Sequence, residues 1–158
     1  MMNIKPDIKN FPPFKAIGMK YSGKNENNEI VVLWDKFIPR MSEIKNVSER
    51  GNSFGVYSPI GETDYEKQFD YIACLEVNEI EDIPNNMVSV EIPEGKYAVF
   101  THRGSVKNMM EMDDYIFKKW MKETELKVDE DRYDFELYNE NFKGEADDSE
   151  IYFYIPIK

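Results

Sequence analysis

Two amphipathic helical patterns stand about eighty residues apart, each set among short alternating segments, and this internal repeat limits what the chain can become. In IVVLWDKFIPRMSEI (residues 30–44), Ile30, Trp34, Phe37, Met41 and Ile44 recur at helical spacing. Pro39 falls inside that run and predicts a kink or an early stop. In MMEMDDYIFKKWMKETEL (109–126), Met109, Met112, Ile116 and Trp120 form one stripe, with Asp114 and Lys118, and Lys119 and Glu123, at neighbour spacing on the wet side. Segments 14–23, 54–60 and 70–77 read as strands of the first half. Residues 87–105 give strand, turn and strand, and 132–139 and 150–158 close the second half. Gly23 and Gly104 are 81 apart, Val56 and Asp134 are 78 apart, and Tyr71 and Ile151 are 80 apart. Neither half could cover both faces of its own sheet. The expectation is one α+β domain over 1–158, with pseudo-repeats 14–79 and 88–157. These duplicated β-α-β-β units would form one antiparallel sheet, with both helices on one face and a ligand cavity on the other.

The alternation in RYDFELYN puts Tyr133, Phe135 and Leu137 on one side of a strand and Asp134, Glu136 and Tyr138 on the other. In EIYFYIPIK, Ile151, Phe153, Ile155 and Ile157 alternate with Tyr152, Tyr154 and Pro156. The aliphatic set belongs under the helices. If the two strands are hairpin neighbours, the tyrosines share the helix-free face with Glu136 and Tyr138, and Tyr57 takes the corresponding place in the first half. A carboxylate among tyrosine rings suits a cation, with ring contacts giving roughly 0.5–2 kcal/mol each. An exposed strand with ordinary β-propensity accounts for the same tyrosines. The stripes Trp34/Phe37 and Met112/Ile116/Trp120 read first as core. Trp120 is also kept as a candidate ligand contact.

Composition removes several classes of function. With 31 acidic and 20 basic residues the formal net charge is −11, which repels phosphate backbones and argues against direct nucleic-acid binding. Cys74 is the one cysteine and His102 the one histidine, so neither a disulfide nor a Cys/His metal cluster is expected. Asp147, Asp148 and Glu150 lack calcium-loop spacing. No metal and no cofactor are expected. The N-terminal MMNIKPDIKN lacks an apolar run, and no later stretch is long enough to span a membrane. A cytoplasmic protein is expected.

GKYAVFTHRGS, a helix carrying Trp120, FELY and IYFYIPI follow one another in an order that resembles the GyrI-like small-molecule-binding domain. This is the effector-binding module of AraC-type and MerR-type multidrug-responsive regulators. LWDKFIPRMSEI and FGVYSPI resemble that family's first repeat, so the likeness runs from about Phe14 to Lys158. It implies a pseudo-twofold pair of units around an aromatic cavity. Glu136 of FELY would face bound lipophilic cations, and Tyr138 and Tyr152 or Tyr154 would match pocket positions. The segment WMKETELKVDED departs from the W-L-P-x-S-G-like end common to the second helix, which puts the cavity mouth in question. The stretch before Phe14 is too short for a helix-turn-helix, so a stand-alone member, monomeric or homodimeric, is expected.

Three functions follow. The first is a protein that binds lipophilic, cationic or aromatic compounds through Glu136, Tyr138, Tyr57, Tyr152, Tyr154 and Trp120, and it leads. The second is a hydrolase of reactive cyclopropane-bearing genotoxins, with Glu136 as general base. The third is an acidic inhibitor of a basic, DNA-binding protein partner such as gyrase.

Overall fold

The computed structural model describes residues 4–62 and 68–158. The first three residues of MMNIKPDIKN lie outside it. The described residues form strands β1 (Asp7–Phe11), β2 (Phe14–Gly23), β3 (Ser53–Tyr57), β4 (Phe69–Val77), β5 (Val88–Ile92), β6 (Gly95–Arg103), β7 (Asp134–Tyr138) and β8 (Glu150–Pro156). Helix α1 (Glu29–Phe37) lies between β2 and β3, and α2 (Met109–Tyr115) between β6 and β7.

Pro39 acts as expected. The α-helix stops at Phe37, and the chain continues as a 3-10 turn over Ile38–Glu43, with the proline in its first positions where a missing N–H costs least. The second helical pattern is not one regular helix. After α2 the backbone widens into a π-helical turn, Ile116–Trp120, and a last α-helical turn, Met121–Glu123, ends where Thr124 becomes extended.

All strands join one antiparallel sheet in the order β1-β6-β8-β7-β3-β4-β2-β5. The order is symmetric about the β7–β3 pair, with β6, β8 and β7 on one side answering β2, β4 and β3 on the other. Strand β1, unforeseen in the sequence, pairs with β6, while β5 pairs with β2. Each half thus lends one strand to the other half's edge. Segments 87–92 and 95–103 are therefore not hairpin partners.

The register fixes the faces. One row across the sheet runs Phe100, Phe153, Glu136, Gly55, Ala73, Met19. At its ends, Phe100 and Phe153 pack under α2 with Met112, Ile116 and Trp120, while Ala73 and Met19 pack under α1 with Leu33 and Phe37. Both helices lie on one face, as expected of this α+β fold. Residues of the adjacent rows, Val99, Tyr154, Phe135 and Val56, belong to a second core on the opposite face with Phe11, Phe14, Phe54 and Tyr97. Phe11 of edge strand β1 reaches Phe14 of β2 at 5.7 Å and Phe54 of β3 at 6.2 Å between ring centroids. The sheet is therefore curled, and its concave side is packed with rings.

This corrects the expected position of the glutamate. Glu136 pairs with Phe153, not with Tyr152 or Tyr154, which pair with Leu137 and Phe135. Glu136 and Tyr138 face the helices; Tyr152 and Tyr154 face away from them. Alternation shows which residues share a face, and a shift of one residue in register exchanges the faces. Because curling buries both sides, neither set of residues carries a polar signature that could decide between them.

Candidate functional site

Glu136 sits in the middle of the helix-bearing face with 1% of its surface exposed. It occupies a hollow left by Gly55, its partner across the β3–β7 ladder. A Cβ at Gly55 would collide with the Tyr71 hydroxyl and come within 2.8 Å of Glu136 Oε1. The missing side chain is what lets a carboxylate and a phenol meet on the floor of the sheet.

Three tyrosines converge on that carboxylate. The Tyr57 hydroxyl donates to Glu136 Oε2 at 2.9 Å, and the Tyr138 hydroxyl to Oε1 at 2.9 Å. Tyr71 donates to Oε1 at 3.3 Å and accepts from the Trp34 indole Nε1 at 2.9 Å. Tyr71 is carried by β4 directly opposite Tyr57 of β3, while Trp34 descends from α1. The Trp34 and Tyr138 rings meet edge to face at 5.5 Å, as do Tyr57 and Tyr71 at 4.9 Å. Phe142 closes on Tyr138 from the β7–β8 connection at 4.9 Å. Among the described residues, no Lys or Arg forms an ion pair with Glu136.

The electrostatics follow from that exclusion of water. Burial pushes the Glu136 carboxyl up to about 7, against the opposing effect of the hydrogen bonds from Tyr138, Tyr57 and Tyr71, which favour its charged form. The three phenols are held well above their usual range, first by burial and then by the charge of Glu136. They stay protonated and serve as donors. Asp134, two residues before Glu136 and on the same face, is 3% exposed, and burial raises it to about 8. Asp113 of α2 is raised well above its ordinary value by burial first, then by the charges of Glu136 and Asp134. The site is thus acidic, aromatic and closed to solvent, and among the described residues no basic group pairs with its glutamate.

Three sequence candidates, Glu136, Tyr57 and Tyr138, come together here. Tyr154 instead stacks on Phe135 at 4.8 Å within the concave core, and Tyr152 accepts from Asn141 Nδ2 at 2.8 Å on that same side. Trp120 packs edge-on against Phe100 at 4.9 Å beneath α2. Tyr71, Trp34, Gly55 and Asp113 were not foreseen. Its place in the Trp34/Phe37 stripe makes Trp34 look like core alone, yet a buried indole N–H requires a partner, and that need is its signal. A surface groove of about 540 Å³, between Phe14, Arg50, Glu76 and Glu91, is a separate feature. His102, the one histidine, donates its Nε2–H to the Ser105 carbonyl, 2.9 Å away.

Residues 4–158 match the family described as the GyrI-like small molecule binding domain. The chain belongs to that family. This GyrI-like domain is 35% identical over 158 residues to the transcriptional regulator BrlR of Pseudomonas aeruginosa strain PAO1, across 98% of this chain and 56% of that protein. It therefore spans little more than half of that curated relative. The structure of SAV2435 bound to tetraphenylphosphonium has the same fold, with TM-score 0.76, 13% identity, and coverage of 98% of this chain and 94% of that one. The C-terminal domain of EcmrR gives TM-score 0.74 at 16% identity, with 99% of both chains covered. Among the described residues of this GyrI-like domain, no helix is long and apolar enough to cross a membrane.

Proposed function

We propose that this small-molecule-binding domain takes up a lipophilic aromatic cation, with Glu136 as its counter-charge and Tyr57, Tyr71, Tyr138 and Trp34 as its ring walls. The observation that carries this reading is a buried glutamate with three phenol donors and, among the described residues, no basic partner. Leaving a carboxylate in such a place is costly unless something positive completes it. The phenols supply partial compensation and hold the carboxylate oxygens in place. An arriving cation would supply the remainder, stacked against ring faces. Tetraphenylphosphonium, the ligand of the related SAV2435 structure, is the natural first probe because it has four aromatic faces and no N–H. Tyr152, Tyr154 and Trp120 would support the site from behind the sheet and beneath α2 rather than touch the ligand. The same reading places the protein in the cytoplasm, where the membrane potential concentrates permeant cations.

The test is displacement of a bound fluorescent dye by tetraphenylphosphonium and by neutral triphenylphosphine oxide. The wild type should favour the cation. Glu136→Gln keeps size and hydrogen bonding but removes the charge, and should cost the cation on the order of 1.5–3 kcal/mol, about tenfold or more in Kd. Equal discrimination by both proteins would refute the counter-charge role. A second reading, hydrolysis, is favoured by one observation: a carboxyl near 7 is suited to general-base work at neutral pH. Turnover of a reactive electrophile by the wild type and not by Glu136→Gln would promote it.

A further inference from the structure

Glu136 has a neighbour that the cation-binding reading leaves unused. Asp134 precedes it by two residues on β7, projects from the same face and is almost wholly buried. Among the described residues its Oδ1 has no hydrogen-bond partner. Tyr57, which faces Asp134 across the ladder, gives its hydroxyl to Glu136 instead. An orphaned carboxyl oxygen in the interior is expensive, because it gives up its hydration and receives no hydrogen bond in return. Sequences rarely retain one without use. On the helix above, Asp113 senses the charges of both carboxyls and keeps partial access to solvent. Lys118 of the same helical run is committed to Asp114 at 3.2 Å, so it offers these carboxyls no counter-charge.

We propose that Asp134, with Asp113 above it, forms a second anionic subsite beside Glu136, so that the preferred ligand is an aromatic compound with two cationic N–H donor groups. The inference rests on the cation-binding reading of Glu136 and specifies its ligand further. Alternate residues of a strand are about 6.6–7 Å apart, which sets the span between the two charges. Carboxylate oxygens each accept more than one hydrogen bond, so Glu136 can keep its phenols and still receive a ligand N–H. An amidinium group carries N–H donors along its edge as well as at its end, so a ring with two of them can give one charge-assisted N–H to each carboxylate. A quaternary phosphonium satisfies Glu136 by charge and rings but leaves Asp134 Oδ1 unpaired.

The experiment compares benzene-1,4-bis-amidine with benzamidine as competitors of the bound dye on the full chain, in 0.5 M NaCl to suppress attraction by the acidic surface. Tetraphenylphosphonium is run beside them. The wild type should bind the bis-amidine at least tenfold more tightly than benzamidine, and Asp134→Asn should bring that ratio close to one. Asp113→Asn, on a part-exposed helix position that tolerates an amide, should reduce the same ratio and serves if Asp134→Asn does not fold. A wild-type ratio below about two would overturn the second subsite, as would a tenfold ratio that survives both substitutions. Failure of tetraphenylphosphonium to displace the dye from the wild type would instead overturn the reading of Glu136 itself.

Discussion

Gly55 and Glu136 face each other across the β3–β7 ladder, and the space a Cβ would fill at Gly55 is where the Tyr71 hydroxyl meets Glu136 Oε1. The site is built around an absent side chain. Gly55→Ala should therefore act locally: the Tyr71 hydroxyl must move, and its bond to Glu136 breaks. Overpacking of this kind costs about 1–3 kcal/mol. A lowered urea midpoint with an unchanged slope, together with weaker tetraphenylphosphonium binding, is the expected outcome. Unaltered stability and binding would show that the hollow has slack.

Tyr71 links the glutamate to helix α1, because its oxygen both donates to Glu136 and accepts from Trp34 Nε1. Tyr71→Phe removes both bonds and leaves the indole N–H of a part-buried tryptophan without an acceptor. The expected cost is about 1–3 kcal/mol in stability. Trp34 fluorescence should change while that of Trp120, packed on Phe100, stays constant. Recording the spectrum in a Trp120→Phe background isolates the effect. An unchanged Trp34 spectrum would mean that the indole has another partner.

How far the sequence could be read differs between the two faces of the sheet. The helical stripes and strand positions were legible because 3.6-residue and two-residue periods survive in the residues themselves. Pro39 was legible for the same reason, since its effect is local. Strand β1 was not: DIKNF is exposed along most of its length and carries no apolar alternation until Phe11. Its pairing with β6 is a contact across about ninety residues, and nothing local encodes it. The grouping of Glu136 with Tyr138 was legible from parity, and that of Tyr57 with them from the internal repeat. Assigning Tyr152 and Tyr154 to that group required the β7–β8 register, which alternation does not supply.

The concave core offers a check on the curled sheet. Phe135 contacts Phe11 at 5.5 Å, Phe14 at 5.2 Å, Phe54 at 5.5 Å and Tyr97 at 5.3 Å, and stacks on Tyr154 at 4.8 Å. These rings come from five strands besides β7 or the segments next to them, so Phe135 is where the curl closes. Phe135→Ala should cost about 3–5 kcal/mol, a large share of the ~5–15 kcal/mol that holds a typical domain together. Phe135→Leu should recover most of it. Urea unfolding of the two variants decides the matter; a loss under 1 kcal/mol for the alanine would show the concave face to be loosely packed.

The buried carboxyls make the stability of the unliganded domain depend on pH in an unusual direction. In the unfolded chain Glu136 and Asp134 titrate near the ordinary carboxyl values of about 4, whereas the fold raises them to about 7 and about 8. Between about pH 4 and pH 8 the folded state thus holds more protons than the unfolded state. Stability must fall as pH rises through that window. Surface carboxylates such as Glu43 and Asp82, held low by Arg40 and Lys45 through hydrogen bonds, act in the opposite sense and only at more acid pH. Glu136→Gln and Asp134→Asn each remove one of these two titrating groups. Each should therefore gain stability relative to the wild type between pH 5 and pH 8.5, on the order of 3 kcal/mol for shifts of this size. At about 2–4 °C per kcal/mol for a chain of this length, the gain is easily read in Tm. A bound cation should reverse the trend, because it favours the ionised carboxylates: tetraphenylphosphonium affinity should rise from pH 5.5 to pH 8 in the wild type and stay flat in Glu136→Gln. A variant-minus-wild-type Tm difference that does not change with pH would mean that Glu136 and Asp134 ionise in the folded domain as they do in water.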